Sequence, residues 1–489
     1  MVEGKVAKNT AYLLTAFVGQ KFLALVYFMI VARLAGVEGT GKFVLATAFT
    51  TIFSVLIDLG LSNILVREVA KDTGRAQEFL SNTLGVKGLL AVVVFIVVQA
   101  TAGLMHYAAD VRLMILVASV AMVLESIHVT IYAALRGFQN LRPEAVGVVC
   151  GQVIVLLVGT ALFFLWRHPL ALVAALVMNT LWNVLWAGFT LTRRYRLRPW
   201  PRLDGPTVRF LGGLAAPFAL AAIFSRVYSY VDSIMLSKFG TEAEVGLYGA
   251  AYKLTFAFIF LPSSFAAALY PAMSEHYHKD REHLARVYVS AIKYLLIIAL
   301  PIAFGLAALA LPAAKTVFGN AFSDSAPPLR ILAFSLVFSF LYWPTGALLN
   351  ASNRQAKNTA ALGFTMVLNI VLNFLLLPRY GAMGAATAGL LSNAFLFSYS
   401  FSVVCQTVRL NLTKILKDAL AAGFAASFMG LSVFLLYPLI GFFPVVAAGA
   451  VIYGAVLFGV NGVTLPEARG LLALFLRRPD KKPLDLSAT

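Results

Sequence analysis

Residues 9–36 read NTAYLLTAFVGQKFLALVYFMIVARLAG, an apolar stretch with a single lysine, Lys21, near its middle. An apolar run of about 20 residues, wound as an α-helix, is long enough to cross the roughly 30 Å hydrocarbon core of a bilayer. Runs of similar length recur along the whole chain. The stretch therefore predicts a helical membrane protein, and it raises the question of why a charge lies at mid-depth.

The composition supports the same fold class. The chain has 489 residues, of which 60% are hydrophobic and 12% charged, whereas a soluble domain carries about 25% charged residues. We predict an all-α integral membrane protein with about fourteen transmembrane helices, at 9–33, 43–66, 80–104, 113–135, 145–166, 170–192, 210–236, 246–271, 287–311, 329–351, 358–377, 383–407, 415–437 and 443–464. The loops are too short for a soluble catalytic domain, so we expect a protein that is not an enzyme.

The basic residues predict the topology. The net charge is +18, and most of the 39 lysines and arginines lie in the N-terminus, the even-numbered loops and the C-terminal tail. This bias predicts that both termini lie in the cytoplasm. The densest basic stretch is residues 193–209 (RRYRLRPWPRLDGPTVR), which we interpret as a topology signal and interfacial linker, with no nucleic-acid partner.

An internal repeat divides the chain into two similar halves. At an offset of 205, Lys21 aligns with Arg226, Gly41 with Gly246 and Ala46 with Ala251, and at 206 Lys87 aligns with Lys293. Two six-helix units of even helix number run in the same sense, so they are parallel repeats around a central cavity. We predict an N-lobe at 1–195, a cytoplasmic linker at 196–209, a C-lobe at 210–410, helices 13–14 at 411–466 and a cytoplasmic tail at 467–489.

Charged residues within spanning helices identify candidate sites. Each costs about 2.5 to 3.5 kcal/mol on insertion scales and usually faces a protein interior or a wet cavity. Lys21 and Arg226 lie near mid-depth as repeat partners, and Arg226, Ser229 and Ser233 share one helix face. The predicted substrate-binding residues are Lys21, Arg226, Lys253, Ser229, Ser233, Lys87 and Lys293; the candidates for coupling to a proton or sodium gradient are Glu125, Asp58 and Asp232.

Simpler interpretations of these charges stay open. Lys87 and Lys293 lie near a helix end, where a lysine can extend its ammonium group to the interface. Structural ion pairing is the main alternative role for the acidic residues, and an Asp232–Lys253 pair is possible because their helices are consecutive. Surplus positive charge in the cavity would suit an anionic substrate, since arginine grips phosphate with two hydrogen bonds and lysine acts as a point charge.

Two stretches resemble a known family. Residues 33–72 (RLAGVEGTGKFVLATAFTTIFSVLIDLGLSNILVREVAKD) and 231–254 (VDSIMLSKFGTEAEVGLYGAAYKL) are similar to the oligosaccharide flippases, or polysaccharide transporters, of the multidrug/oligosaccharidyl-lipid/polysaccharide exporter superfamily. This resemblance implies a flippase that moves a lipid-(pyro)phosphate-linked oligosaccharide across the cytoplasmic membrane by alternating access, for surface polysaccharide or cell-envelope glycan assembly. It implies no cofactor, an anionic lipid-linked substrate, membrane lipids around a probable monomer, and a possible association with glycan polymerase machinery. In its relatives a lipid groove lies near the last two helices.

Two other functions compete with the flippase. A multidrug and toxin extrusion antiporter of the same superfamily typically has twelve helices and an acidic cavity for cationic drugs. An integral-membrane glycan polymerase or glycosyltransferase would usually need a large external loop or an acidic catalytic pair. The fourteen predicted helices, the basic cavity and the short loops favour the flippase.

Overall fold

The structure is a computed structural model that describes residues 2–463, with side chains described for 15–215 and 219–463. The predicted tail at 467–489, the end of predicted helix 14 and the side chain of Pro217 lie outside these ranges. Every regular element within residues 2–463 is helical. The α-helices are α1 Val2–Asp58, α2 Leu61–Lys71, α3 Ala76–Leu104, α4 Ala109–Gly137, α5 Arg142–Trp166, α6 Leu170–Tyr195, α7 Gly205–Phe239, α8 Glu242–Phe256, α9 Phe260–Lys279, α10 Arg281–Ala308, α11 Ala310–Phe318, α12 Ala326–Ala351, α13 Gln355–Cys405, α14 Leu412–Ile440 and α15 Phe442–Gly459, with short 3₁₀ turns at Thr73–Arg75 and Asn320–Ser325.

These helices confirm the predicted fold class. Among the described residues, eleven helical segments are long and apolar enough to span a membrane, or twelve if the bent pair α8 and α9 forms one span. Two of the eleven, Thr15–Asp58 and Gln355–Cys405, have 44 and 51 residues, about twice the length that one crossing needs. Each contains a non-helical glycine, Gly36 (φ 68°) and Gly381 (φ 49°), near the boundary between two predicted spans. The architecture is therefore compatible with fourteen crossings.

One predicted helix is broken. The predicted span at 246–271 is divided between α8, which ends at Phe256, and α9, which begins at Phe260, with a bend of 42° between them. Pro262 lies in the first turn of α9, where the missing N–H of proline costs no hydrogen bond within the helix. By contrast, α10 and α12 continue through Pro301 and Pro344.

The chain forms two compact units, one ending at Gly246 and the other beginning at Leu247. In the first unit, α1 packs against α4, α5 and α7, while α6 packs against α4 and α5. The short helix α2 buries Leu61, Ile64, Leu65 and Val69 in a core with α3, the end of α4, the end of α6 and the start of α7. In the second unit, α12 packs against α9, α10 and α13, and the α14–α15 pair packs against α10.

Candidate functional site

A polar cavity of about 380 Å³ lies inside the first unit. It is enclosed by α1, α2, α3, α4 and α7, and its lining includes most of the charged residues within the predicted spans of this unit. The lining residues are Ser54, Val55, Asp58, Asn63, Lys87, Met122, Glu125, Ser126, Val129, Ala222, Ser225, Arg226 and Ser229. The structure thus brings together five of the predicted site residues, from four different helices.

Asp58 and Lys87 form an ion pair on one wall of this cavity. The chain turns sharply after Asp58 because Leu59 and Gly60 both have positive φ, 44° and 82°. This turn places the Ser62 hydroxyl 2.5 Å from the Asp58 carboxylate and 2.8 Å from the Lys87 ammonium group. Lys87 is 2% exposed and Asp58 35%. The ammonium group of Lys87 therefore points into the protein, and the alternative that it extends to the interface does not describe this structure.

Glu125 and Arg226 carry opposite charges and line the same cavity. Glu125 on α4 and Arg226 on α7 are both exposed to it, and the guanidinium lies close enough to act electrostatically on the carboxylate. Lys87 is paired with Asp58, so the charge of Arg226 is the one in this lining that acts mainly on Glu125. The described lining of this cavity holds two basic and two acidic side chains, so the prediction of surplus positive charge is wrong for this cavity.

A second polar cavity, of about 260 Å³, adjoins the first and shares Ser54, Met122 and Glu125 with it. It lies between both parts of α1, α4, α5 and α6, and its lining is rich in hydroxyl and amide groups: Gln20, Thr47, Thr50, Thr51, Ser54, His128, Asn179, Thr180 and Asn183. Glu125 lies where the two cavities meet. The carboxyl group of Glu125 therefore has access to both cavities.

Hydrogen bonds fix the far wall of the second cavity. Tyr132 donates to the Asn183 side chain at 2.7 Å, and Asn183 donates to Asn179 at 2.9 Å. The His128 ring packs edge-on against Tyr132, with ring centroids 5.7 Å apart. Since Glu125, His128 and Tyr132 follow one another at i, i+3 and i+7, they share one face of α4.

Sequence reasoning missed this hydroxyl- and amide-lined wall. Thr47, Thr50, Thr51 and Ser54 recur at i, i+3, i+4 and i+7, which is the signature of one helix face. That spacing could have identified them. A search for charged residues does not find them, because threonine and serine are common in membrane helices. Their hydroxyl groups usually donate to the carbonyl one turn back, as Thr51 does to the Thr47 carbonyl at 2.6 Å.

The other predicted site residues have varied surroundings. Lys21 is exposed on α1, next to Gln20, which lines the second cavity. Ser229 lines the first cavity and donates to the Ser225 carbonyl at 2.8 Å, whereas Asp232 and Ser233 are buried further along α7. Lys253 is exposed and Lys293 buried, and both belong to the second unit. Asp232 belongs to the first unit, whereas Lys253 belongs to the second, so the Asp232–Lys253 pair stays a prediction.

A many-helix bundle with charged cavities among its spanning segments defines a class, the polytopic helical transport proteins of membranes. The particular family follows from its sequence profile. A profile described as "Polysaccharide biosynthesis protein" matches residues 6–277, and one described as "MatE" matches residues 217–375. The chain belongs to the polysaccharide biosynthesis protein family, and the predicted membership of the multidrug/oligosaccharidyl-lipid/polysaccharide superfamily is confirmed.

The chain is also similar to individual proteins, both in sequence and in fold. A "Probable low-salt glycan biosynthesis flippase Agl15" of Haloferax volcanii is 27% identical over 176 residues, which cover 36% of this chain and 37% of the relative. The chain thus matches little more than a third of that relative's length. The fold is similar to a lipid II flippase MurJ in an inward closed conformation, with a TM-score of 0.73 at 16% identity, covering 95% of this chain and 99% of that one. A multidrug resistance MATE family transporter in an inward-facing conformation gives a TM-score of 0.66 at 15% identity, covering 79% and 95% of the two chains.

Proposed function

We propose that the protein is a flippase for a lipid-(pyro)phosphate-linked oligosaccharide, which it moves across the cytoplasmic membrane by alternating access during surface polysaccharide or cell-envelope glycan assembly. The observation that carries this proposal is the cavity of the first unit, where Arg226 is exposed inside the helix bundle while Lys87 is already paired with Asp58. An arginine in such a place binds phosphate oxygens strongly, because its planar group can donate two parallel, charge-assisted hydrogen bonds.

The neighbouring groups suit the rest of such a substrate. Ser229, Asn63 and Ser126 offer hydroxyl and amide groups in the same cavity as Arg226, and sugars are recognised by groups of this kind. Lys21, Lys253, Lys293 and Ser233 complete the proposed substrate-binding set. The relative from Haloferax volcanii, named as a probable glycan biosynthesis flippase, and the lipid II flippase fold support the same class of substrate.

Transport against a gradient needs an ion that is bound in one state and released in the other. In the proposed mechanism Glu125 is the coupling group, since it lies at the junction of both cavities with Arg226 as its counter-charge. Asp58 and Asp232 are secondary candidates, and the ion is a proton or sodium. The protein then acts as a monomer with both termini in the cytoplasm and without a catalytic step of its own, and it delivers its substrate to polymerase machinery.

The experiment is flipping of a fluorescent lipid-pyrophosphate oligosaccharide by the purified chain in liposomes. We expect Arg226→Ala and Lys21→Ala to reduce the flipping rate about tenfold or more, because a charge-assisted contact to phosphate is lost. The matched control is Arg209→Ala, an exposed arginine earlier on α7 that does not line the cavity. Full activity of both Arg226→Ala and Lys21→Ala would refute the proposed site, and transport of a cationic drug in place of the anionic lipid would favour the multidrug antiporter with the same fold.

A further inference from the structure

An apolar groove of about 490 Å³ runs between α3 and α4 on the first unit. Its walls carry large apolar side chains that are open to the surroundings, with Val92 60% and Ile96 61% exposed. The lining residues are Leu84, Lys87, Gly88, Ala91, Val92, Phe95, Ile96, Val120, Val123, Leu124, Ser126, Ile127, Pro199 and Pro201. In a spanning bundle, such a groove faces hydrocarbon and is therefore filled by a lipid chain.

One end of the groove is roofed by an extended segment, residues 196–204, which we call the strap. The strap is bound to the start of α3. Gln77 exchanges two hydrogen bonds with the backbone of Arg198, at 2.7 and 2.8 Å, and the N–H of Arg202 donates to the Ser81 carbonyl at 2.9 Å. At Gly85 a β-carbon would lie 2.0 Å from the Arg202 carbonyl oxygen, so this close approach requires glycine. These bonds hold Pro199 and Pro201 of the strap against the groove.

The strap also presents positive charge at this end. Arg196, Arg198 and Arg202 are exposed, and Trp200 between them is 69% exposed. Tryptophan is enriched at the level of lipid headgroups, and arginine binds phosphate with a fixed fork of donors. The docking of Arg198 and Arg202 uses their backbone groups, which leaves both guanidinium groups available to a ligand. The mouth of the groove thus fits an anionic headgroup.

The dimensions of the groove fit one hydrocarbon chain. Its residues on α3 extend from Leu84 to Ile96, a helical rise of about 18 Å. One leaflet contributes about 15 Å, half of the roughly 30 Å hydrocarbon core. A chain that enters beneath the strap can therefore lie along α3 for the full depth of its leaflet.

The groove also adjoins the polar cavity. Lys87 and Ser126 line both spaces, one from α3 and the other from α4. These side chains therefore lie between the apolar groove and the chamber that holds Asp58, Glu125 and Arg226. A lipid whose chain lies in the groove therefore has the first part of that chain beside the wall of the proposed substrate cavity.

From these relations we infer that the groove between α3 and α4 binds the hydrocarbon chain of a single-chain lipid phosphate, the carrier of the transported glycan, with its phosphate on the strap arginines. This inference rests on the proposed function for the identity of the carrier. The groove is the place where the carrier waits before its headgroup passes the Lys87 and Ser126 wall. The groove is formed by residues of the first unit, whereas the lipid groove implied by the resemblance involves the last two helices, which belong to the second unit.

Photolabelling of the purified full-length chain in nanodiscs by a diazirine derivative of farnesyl phosphate tests this site. A β-carbon at Gly88 would meet nothing within 4 Å, so Gly88→Trp can fill the groove without disturbing the fold, and Gly103→Trp is its control on the same helix, also in open space and outside the groove. Val92→Trp and its neighbour Val93→Trp form a second pair, because Val93 is exposed but does not line the groove.

We expect Gly88→Trp and Val92→Trp to lose most of the label on α3 and α4, while both controls keep it. Replacing the arginines in the double variant Arg198→Gln, Arg202→Gln should weaken labelling about tenfold. Unlabelled farnesyl phosphate should compete, and two-chain phosphatidylglycerol should not. Equal competition by phosphatidylglycerol, or unchanged labelling in both groove variants, overturns the inference.

The same variants separate this inference from the proposed function. If the wild-type chain binds the probe in the groove but does not flip a lipid-linked oligosaccharide, the groove stands and the flippase assignment fails. If the chain flips such a substrate and both groove variants flip and label like wild type, the flippase assignment stands and the groove inference fails.

Discussion

Gly41 and Gly246 pack backbone against backbone in the first unit. A β-carbon on Gly41 would lie 1.7 Å from the carbonyl oxygen of Glu242, and one on Gly246 would lie 2.1 Å from that of Val37. The contact is reciprocal, because each glycine meets the carbonyl one turn before its partner. Both pairs, Gly41 with Gly246 and Val37 with Glu242, are separated by the repeat offset. The internal repeat found in the sequence thus appears as a symmetric contact in the structure.

This contact leaves no room for a side chain. We expect Gly41→Ala and Gly246→Ala each to destabilise the protein by about 1–3 kcal/mol, since overpacking against a backbone atom forces the helices apart. The measurement is the thermal unfolding midpoint in detergent. Gly103→Ala and Gly454→Ala are the controls, because a β-carbon at either position meets nothing within 4 Å. An unchanged unfolding midpoint in both Gly41→Ala and Gly246→Ala would show that the two backbones are not held in close contact at these glycines.

The Asp58–Lys87 pair predicts an asymmetric response to mutation. Lys87 is 2% exposed, so Asp58→Asn leaves a buried ammonium group without its counter-ion, a change that typically costs about 3–5 kcal/mol. Lys87→Met should cost less, because the Asp58 carboxylate is 35% exposed and can turn toward the polar cavity. Thermal unfolding of both single variants and the double variant measures this asymmetry.

The double variant is the stricter part of that test. Replacing both charges removes the unpaired ammonium group, so Asp58→Asn with Lys87→Met should be more stable than Asp58→Asn alone. If the two single variants are equally stable, or the double variant loses the sum of both effects, the pair is not coupled as the structure indicates.

Hydropathy and local patterns were enough to predict the helical class and most of the helix positions. The predicted span at 113–135 lies within α4, and that at 329–351 lies within α12. The break before Pro262 was missed because apolar residues continue through it, and a break without a charge or a loop leaves no hydropathy signal. Gly36 and Gly381, whose φ angles are positive, lie in the gaps between consecutive predicted spans.

The candidate site was predicted less completely. Charge at membrane depth identified Asp58, Lys87, Glu125 and Arg226, which do share one cavity. The sequence did not indicate that Asp58 and Lys87 pair, since partner choice depends on how α1 and α3 are rotated about their axes. The docking of residues 196–204 on α3 was also hidden, because it depends on backbone bonds to Gln77 and Ser81. The lobe boundaries and the roles of the site residues stay predictions.

Lys42 joins three helices through their carboxylates. Its ammonium group lies 2.6 Å from Asp110, 3.0 Å from Glu38 and 3.3 Å from Glu242. Lys42→Met would leave three acidic groups close together, so we expect a loss of about 1–2 kcal/mol, moderated because the carboxylates are partly exposed. Unfolding at low and high salt checks this, since screening should reduce the repulsion between the carboxylates.

A compensating change gives the control for Lys42. Asp110→Asn removes the nearest of the three negative charges, so it should recover part of the stability lost in Lys42→Met. A Lys42→Met variant as stable as wild type at low salt would mean that the cluster contributes nothing measurable.

Glu125 provides the last prediction, because it lies where the two polar cavities meet. Glu125→Gln keeps the shape of the side chain but replaces one acceptor oxygen with an NH2 donor, so it has no negative charge and cannot bind and release a proton. We expect the variant to flip its substrate at a rate that no longer responds to an imposed proton or sodium gradient, whereas wild type accelerates. Glu282→Gln, an exposed acid at the start of α10, is the matched control and should respond like wild type. The measurement is flipping in liposomes with each gradient imposed separately, which also identifies the ion. If Glu125→Gln keeps the wild-type response to both gradients, Glu125 does not couple transport and the role passes to Asp58 or Asp232.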